Sequence, residues 1–239
     1  MTISAVRALT FDVFGTVVDW RSSVIAQVEA VATAAGVTGD WAAFADEWRY
    51  DGYIAGIGRV VRGEAPMVTT DVLHRAKLDE LLPRYGLAAL AEPARDNLNR
   101  AWHRLEPWPD SVAGLARLRT GYIVSTLSNG NVSLLVNMAR HAGLTWDCIL
   151  SAEITGAFKP SPRCYGEAVR LLGLEPHEVM MVAAHKNDLL AAAKSGLRTA
   201  FVPRPLEAGP NRTVDLTPDP SFDVVANDFH DLATRLGCA

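Results

Sequence analysis

The chain has no run of lysines or arginines, and no apolar stretch reaches the ~18 residues expected of a membrane-spanning helix. Its 23 Lys and Arg stand against 27 Asp and Glu, for a formal charge of −4 and a pI near 5.9. That balance leaves no electrostatic footprint for nucleic acid or an anionic membrane, so a small-molecule partner is expected. No basic segment followed by an apolar one opens the sequence, and a cytoplasmic location is expected. Cysteine is scarce: Cys148, Cys164 and Cys238 are odd in number, lack metal-type or redox-type spacing, and read as free thiols. Familiar motifs are missing too. Ser128 lacks the preceding glycine of a Gly-x-Ser-x-Gly elbow, and Val61 follows Gly56-Ile57-Gly58 where a dinucleotide fingerprint needs glycine. Met181 follows His177-Glu178 where a zinc helix needs histidine. His74, His103, His141 and His230 show no ligand spacing either, so no metal and no cofactor are expected.

What is present is apolar content. A chain of 239 residues, 49% hydrophobic, with mean hydropathy +0.09, can bury a sizeable core as one large domain or two unequal ones. The block Ala8-Leu9-Thr10-Phe11-Asp12-Val13-Phe14-Gly15-Thr16 reads as a short buried strand with a tight exit at Gly15. Asp12 stands where the strand ends. Burying a carboxylate costs several kcal/mol unless hydrogen bonds or cations meet it, so Asp12 must have partners elsewhere in the chain.

From residue 21 to 105 the apolar positions keep only helical periodicity. Val24, Ile25, Val28, Val31, Ala32 and Ala35 mark one helix, closed by Gly36, and Trp41, Phe44, Ala45 and Trp48 a second. Leu73, Ala76, Leu81 and Leu82 mark a third, and Leu98, Ala101, Trp102 and Leu105 a fourth; Gly56 to Gly63 reads as a loop. From Asp110 onward strands and helices alternate, with strands at 122–127, 148–150, 179–183, 199–202 and 223–225. Such alternation predicts an α/β fold with a doubly wound parallel sheet. The expected domains are an α/β core of residues 1–19 and 106–239 and a helical cap of residues 20–105 inserted after the first strand. The stretch Pro203 to Pro220 reads as a long loop that either borders the site or only connects.

Ligands of parallel sheets sit outside the carboxyl ends of the strands. Polar residues fall at each such end: Ser128-Asn129, Lys159-Pro160, and His185-Lys186-Asn187-Asp188. Alone, Lys159 would be a solvated lysine before a turn. Taken together, a hydroxyl, an amide, a lysine and a second carboxylate converge on Asp12 and supply what its burial requires.

In order and approximate spacing, Asp12-x-x-Gly15-Thr16, Ser128-Asn129, Lys159-Pro160 and Asp188 resemble the four motifs of the haloacid dehalogenase superfamily. The resemblance spans the core, and the helical insert resembles that superfamily's cap. In its phosphatases a second aspartate two residues after the nucleophile protonates the leaving alkoxide; here that position is Phe14. A halide leaves without a proton, so the resemblance narrows to L-2-haloacid dehalogenases, which work without magnesium. It implies that Asp12 displaces halide from a short 2-haloalkanoic acid and that water then hydrolyses the aspartyl ester, with inversion at carbon. Thr16 would orient Asp12, Lys159 would keep it ionised, and Asp188 would orient Lys159 and activate the water. Ser128, with the backbone amides of Val13 and Phe14, would bind the substrate carboxylate. Arg49, in a Trp48-Arg49 pair resembling one in the family's cap, and Asn129 would receive the halide. Tyr165 matches the family's spacing for an active-site tyrosine, though on its amphipathic helix it also fits a core position.

The fourth motif departs from the pattern, with Ala183-Ala184-His185-Lys186-Asn187-Asp188 where those proteins have Ser-Ser-Asn-x-Trp-Asp. His185 then either contacts the halide or the nucleophile, or is a satisfied structural histidine. A donor-rich halide pocket would suit fluoride, which makes fluoroacetate a substrate to assay. A magnesium-dependent phosphatase of a small metabolite and a non-catalytic acid-binding relative are the two alternative functions. The family resemblance also implies a homodimer.

Overall fold

The computed structural model describes residues 3–210 and 214–238. Strand β1 (Ala8–Phe11) is buried along its whole length, as a strand covered on both faces must be. The chain turns at Gly15, whose φ of +87° favours glycine, and returns as the two-residue β2 (Val18–Asp19). It then runs through helices as far as His103. These are α1 (Trp20–Ala34), α2 (Trp41–Glu47), a π-helical segment (Trp48–Ile54), α3 (Ala55–Val61), α4 (Thr70–Arg84), α5 (Glu92–Asn99) and a 3-10 turn (Arg100–His103). Asp19 and Asp40 cap α1 and α2, accepting from the amides of Ser22 at 3.1 Å and Ala43 at 2.9 Å. Trp20, Trp48 and Trp102 are fully buried at the centre of these helices, the last two edge to face at 5.4 Å.

One expectation fails here. The stretch Gly56 to Gly63 is not a loop: α3 continues from the π-helical segment through Val61, and only Gly63, at φ +75°, breaks it. The glycines before it serve packing. A Cβ on Gly52 would stand 2.6 Å from Lys77 Cβ, and one on Gly56 2.9 Å from Leu73 Cδ2, so their absence lets α4 lie close against this helix.

After His103 the chain re-enters the core as β3 (Glu106–Pro107), antiparallel to β2, with Val18 opposite Pro107 and Asp19 opposite Glu106. The remainder alternates: α6 (Ser111–Leu118), β4 (Ile123–Ser128), α7 (Val132–Ala142), β5 (Cys148–Ser151), α8 (Ala152–Thr155), α9 (Pro162–Leu172), β6 (Val179–Ala183), α10 (Lys186–Lys194), β7 (Arg198–Phe201), β8 (Val224–Val225) and α11 (Phe229–Arg235). Six strands form one parallel sheet in the order β5-β4-β1-β6-β7-β8. Strand β1 thus lies between β4 and β6, with Phe11 in register with Thr126 and Val182, and the loops after all three emerge beside Asp12. Of the stretch Pro203 to Pro220, residues 211–213 lie outside the described residues; the rest holds no helix or strand, and Glu207, Ala208 and Val214 line the cavity over Asp12. The loop therefore borders the site. No described helix is long and apolar enough to cross a membrane.

Candidate active site

Asp12 leaves β1 with its amide donating to the Val182 carbonyl at 3.0 Å, which fixes the backbone across the strand pair. Lys159 Nζ donates to Asp12 Oδ1 at 2.9 Å and also to Asp188 Oδ2, so one ammonium bridges two carboxylates brought from distant strand ends. Thr16 donates its hydroxyl to Asp12 Oδ2 at 2.7 Å and accepts from the Ala184 amide at 2.9 Å. Tyr165 donates to Asp188 Oδ1 at 2.6 Å. Burial alone would raise the Asp12 carboxyl, but the Lys159 charge and the hydrogen bonds of His185 and Lys159 more than offset it and hold it far below the usual carboxylate range. Burial would lower Lys159; the charges of Asp12 and Asp188 instead hold it above the ordinary lysine value. Asp12 is therefore kept ionised although it is buried.

Asn129 and Lys159 clasp each other through main chain and amide: the Lys159 amide donates to Asn129 Oδ1 at 2.8 Å, and Asn129 Nδ2 donates back to the Lys159 carbonyl at 3.4 Å. Ser128 is fully buried and its Oγ accepts from the Gly130 amide at 3.2 Å; it does not line the cavity, and neither does the Val13 side chain. Phe14 does, with its ring centroid 5.5 Å from that of Tyr53. Arg49 is buried, its guanidinium 4.6 Å from the Tyr53 ring, 5.2 Å from Trp20 and 5.4 Å from Phe14, and its Nη1 has no hydrogen-bond partner among the described residues. None of these rings carries formal charge, so the free Nη1 of Arg49 is a donor for an anion in the cavity it lines.

His185 stands at the amino end of α10 and bridges two acids. Its Nδ1 lies 2.9 Å from Asp12 Oδ2, and its Nε2 lies 2.9 and 3.0 Å from the two oxygens of Glu207. Burial works against the imidazolium, but hydrogen bonds to Asp12 and Glu207 push the His185 pKa up to about 10. Sequence reasoning missed Glu207, since an acid in an irregular loop carries no periodic signal. A signal did exist in Gly15: a Cβ there would fall 2.0 Å from Glu207 Oε1, so the turn after Asp12 is glycine partly because this carboxylate lies on it. Trp20 Nε1 donates to the same oxygen at 3.3 Å.

The cavity that these residues enclose has a volume of about 460 Å³. The haloacid dehalogenase-like hydrolase family model matches residues 6–196, the span from the start of β1 to the end of α10. The chain belongs to this family. Over 209 residues, 84% of this chain and 85% of the relative, it is 31% identical to (S)-2-haloacid dehalogenase 4A of Burkholderia cepacia. It is also similar to two solved structures, of a defluorinating L-2-haloacid dehalogenase and of another L-2-haloacid dehalogenase, each 46% identical. These superpose with TM-scores of 0.93 and 0.92 over 97% of this chain and 95% and 98% of theirs.

Within this haloacid dehalogenase-like hydrolase a divalent cation does not fit between Asp12 and Asp188, because the Lys159 ammonium holds that place and Tyr165 takes the remaining Asp188 oxygen. Among the described residues no group of three or more His, Cys, Asp and Glu is arranged to hold a metal ion.

Proposed function

We propose that the chain is a hydrolytic dehalogenase that converts short 2-haloalkanoic acids to 2-hydroxy acids and halide. The observation that carries the reading is Phe14: two residues after an ionised Asp12, 2% exposed and packed among aromatic rings, it puts a phenyl ring where a phosphatase of this kind would carry the carboxyl that protonates an alkoxide leaving group. Halide needs none. The curated (S)-2-haloacid dehalogenase relative and the solved L-2-haloacid dehalogenases support the same substrate class.

In the first step an Asp12 oxygen attacks the carbon bearing the halogen, the carbon–halogen bond breaks, and the halide departs with the bonding pair. Lys159 and Thr16 keep that oxygen pair ionised and aimed, and the Arg49 guanidinium meets the anion. The amides of Val13 and Phe14 donate to no other group of the described residues and are available to the substrate carboxylate. With its hydroxyl turned to Gly130, Ser128 shapes this turn and does not contact substrate in our reading.

In the second step water attacks Cγ of the Asp12 ester. Both Asp188 oxygens are already engaged, by Lys159 and Tyr165, so we assign water activation to His185 and give Asp188 the orienting of Lys159. In the free enzyme His185 is protonated between two carboxylates. Esterification abolishes the Asp12 charge, and the imidazolium loses one of the two anions that hold its proton. His185 thus becomes a base only once the ester exists. It takes a proton from the attacking water and returns one to the departing alkoxide, Asp12 is regenerated, and the halide's acid equivalent is released as one proton to solvent. The helical segment 20–105 acts as the cap that closes over the substrate, and a homodimer is the assembly this reading carries with it, testable by sedimentation.

The decisive test is halide release from chloroacetate, fluoroacetate and 2-chloropropionate, with single-turnover reaction in heavy-oxygen water. Label in Asp12 supports the ester; label confined to the product would sink it.

A further inference from the structure

We propose that Arg204 is a positioning residue that locks the turn carrying Glu207 to the turn carrying Asp12, so that the His185–Glu207 pair stays in register with the nucleophile. The proposal rests on the two-step reading above and deepens it. Arg204 is buried, in a stretch with no helix or strand, and each branch of its guanidinium is used. Nε donates to the Thr16 carbonyl at 2.8 Å; Nη1 and Nη2 donate to the two oxygens of Asp110 at 2.7 and 2.9 Å. Asp110 also accepts from the Phe229 amide at 2.8 Å, and the Phe229 ring lies 4.6 Å from the guanidinium, so the acid and the cation are both held from the far side.

The two ends of Arg204 matter differently. Its side chain grips the carbonyl of Thr16, the residue whose hydroxyl sits on Asp12. Its own carbonyl accepts from the Glu207 amide at 3.1 Å, closing the turn that presents Glu207 to His185. A single residue therefore joins the loop of the nucleophile to the loop of the acid, with Trp108 Nε1 on the Gly15 carbonyl at 2.9 Å as a second tie on the same side. A fork of fixed geometry can hold a carbonyl and a bidentate carboxylate together, whereas an ammonium at the end of a flexible stem cannot. A buried ion pair is weak grounds for inferring stability, so a local positional role is the more specific account of why this one is here.

Arg204→Lys in the full-length enzyme tests it. Charged groups facing His185 are Asp12 and Glu207, with Lys159 beyond Asp12; the adjacent Lys186 is paired with Asp215. The variant should form the Asp12 ester at close to the wild-type rate, read as a halide burst. It should hydrolyse that ester about 10- to 100-fold more slowly, as expected when a reacting group is misplaced by about an ångström. Ester should then accumulate in the intact-protein mass spectrum, and the pH at half-maximal kcat should fall, because Glu207 no longer helps hold the His185 proton. Asp110→Asn should shift both readouts the same way by less. Unchanged hydrolysis and pH profile, or a smaller burst with unchanged kinetics per active site, would overturn the proposal, as would failure of both variants to fold. If the wild type forms no ester, the two-step reading fails as well; if it does and the variants match it, only the role of Arg204 fails.

Discussion

His185 Nδ1 lies 2.9 Å from Asp12 Oδ2 while its opposite nitrogen is taken by Glu207, so one imidazole joins Asp12 to an acid from a separate loop. His185→Gln and Glu207→Gln should therefore spare the first half of the reaction and damage the second. Each should give a halide burst of one equivalent per site followed by turnover slowed about 10²- to 10⁴-fold, the usual worth of a general base. Rapid-quench halide measurement with intact mass checks this, and loss of the burst itself would count against the assignment.

Asp12→Asn should release no halide from chloroacetate or 2-chloropropionate and show no protein adduct. Removal of the carboxylate takes away both the attacking oxygen and the charge that Lys159 faces. Retained turnover would point to direct attack by water.

Lys159→Met should leave Asp12 and Asp188 buried without their shared cation, with a loss of about 3–5 kcal/mol of stability near neutral pH. Urea denaturation should find that deficit shrinking in acid, where one carboxylate takes up a proton. A deficit independent of pH would mean that the ion triad is not what the lysine supports.

The folded chain holds the His185 proton up to about 10 against an ordinary value of 6.5, because the bonds to Asp12 and Glu207 outweigh burial. A raised value stabilises the fold fully below about pH 6.5, and that contribution drains away as the pH climbs to about 10. The stability gap between wild type and His185→Gln should accordingly narrow across this window. Chemical denaturation at its two ends checks it; a constant gap would show that His185 does not gain its proton on folding.

Two helical glycines should answer oppositely to alanine. At Gly58 only the flexible Arg62 Nη1, 3.1 Å away, stands near a new Cβ, so Gly58→Ala should gain about 0.5–1 kcal/mol. Gly52→Ala should lose stability, since the Lys77 Cβ at 2.6 Å belongs to a packed helix and cannot yield without moving it. Thermal melts of both variants decide the matter.

These residues also show what a linear reading can and cannot see. Asp12, Lys159 and Asp188 were legible because each follows an apolar strand, and parallel strands deliver their ends to one edge. Thr16 was legible from its place in the same block. Gly52 and Gly56 were not, because a glycine that makes room for a neighbouring helix looks in sequence like one that makes a turn. Glu207 and Arg204 escaped for a different reason. Their contacts reach as far as Trp20 and Thr16, on the far side of the sequence, and an irregular loop has no periodicity to say which way a side chain faces. The amides of Val13 and Phe14 entered through the family resemblance alone, since backbone donors leave no mark in side-chain patterns.

The pairing of Val18 and Asp19 with Pro107 and Glu106 means that the helical segment leaves the core at the doorway through which it entered. Its two ends are already neighbours, so a shorter or longer insert can be spliced between them without any strand of the main sheet changing place. Evolution or an engineer can thus replace the roof over Asp12 while the floor stays as it is.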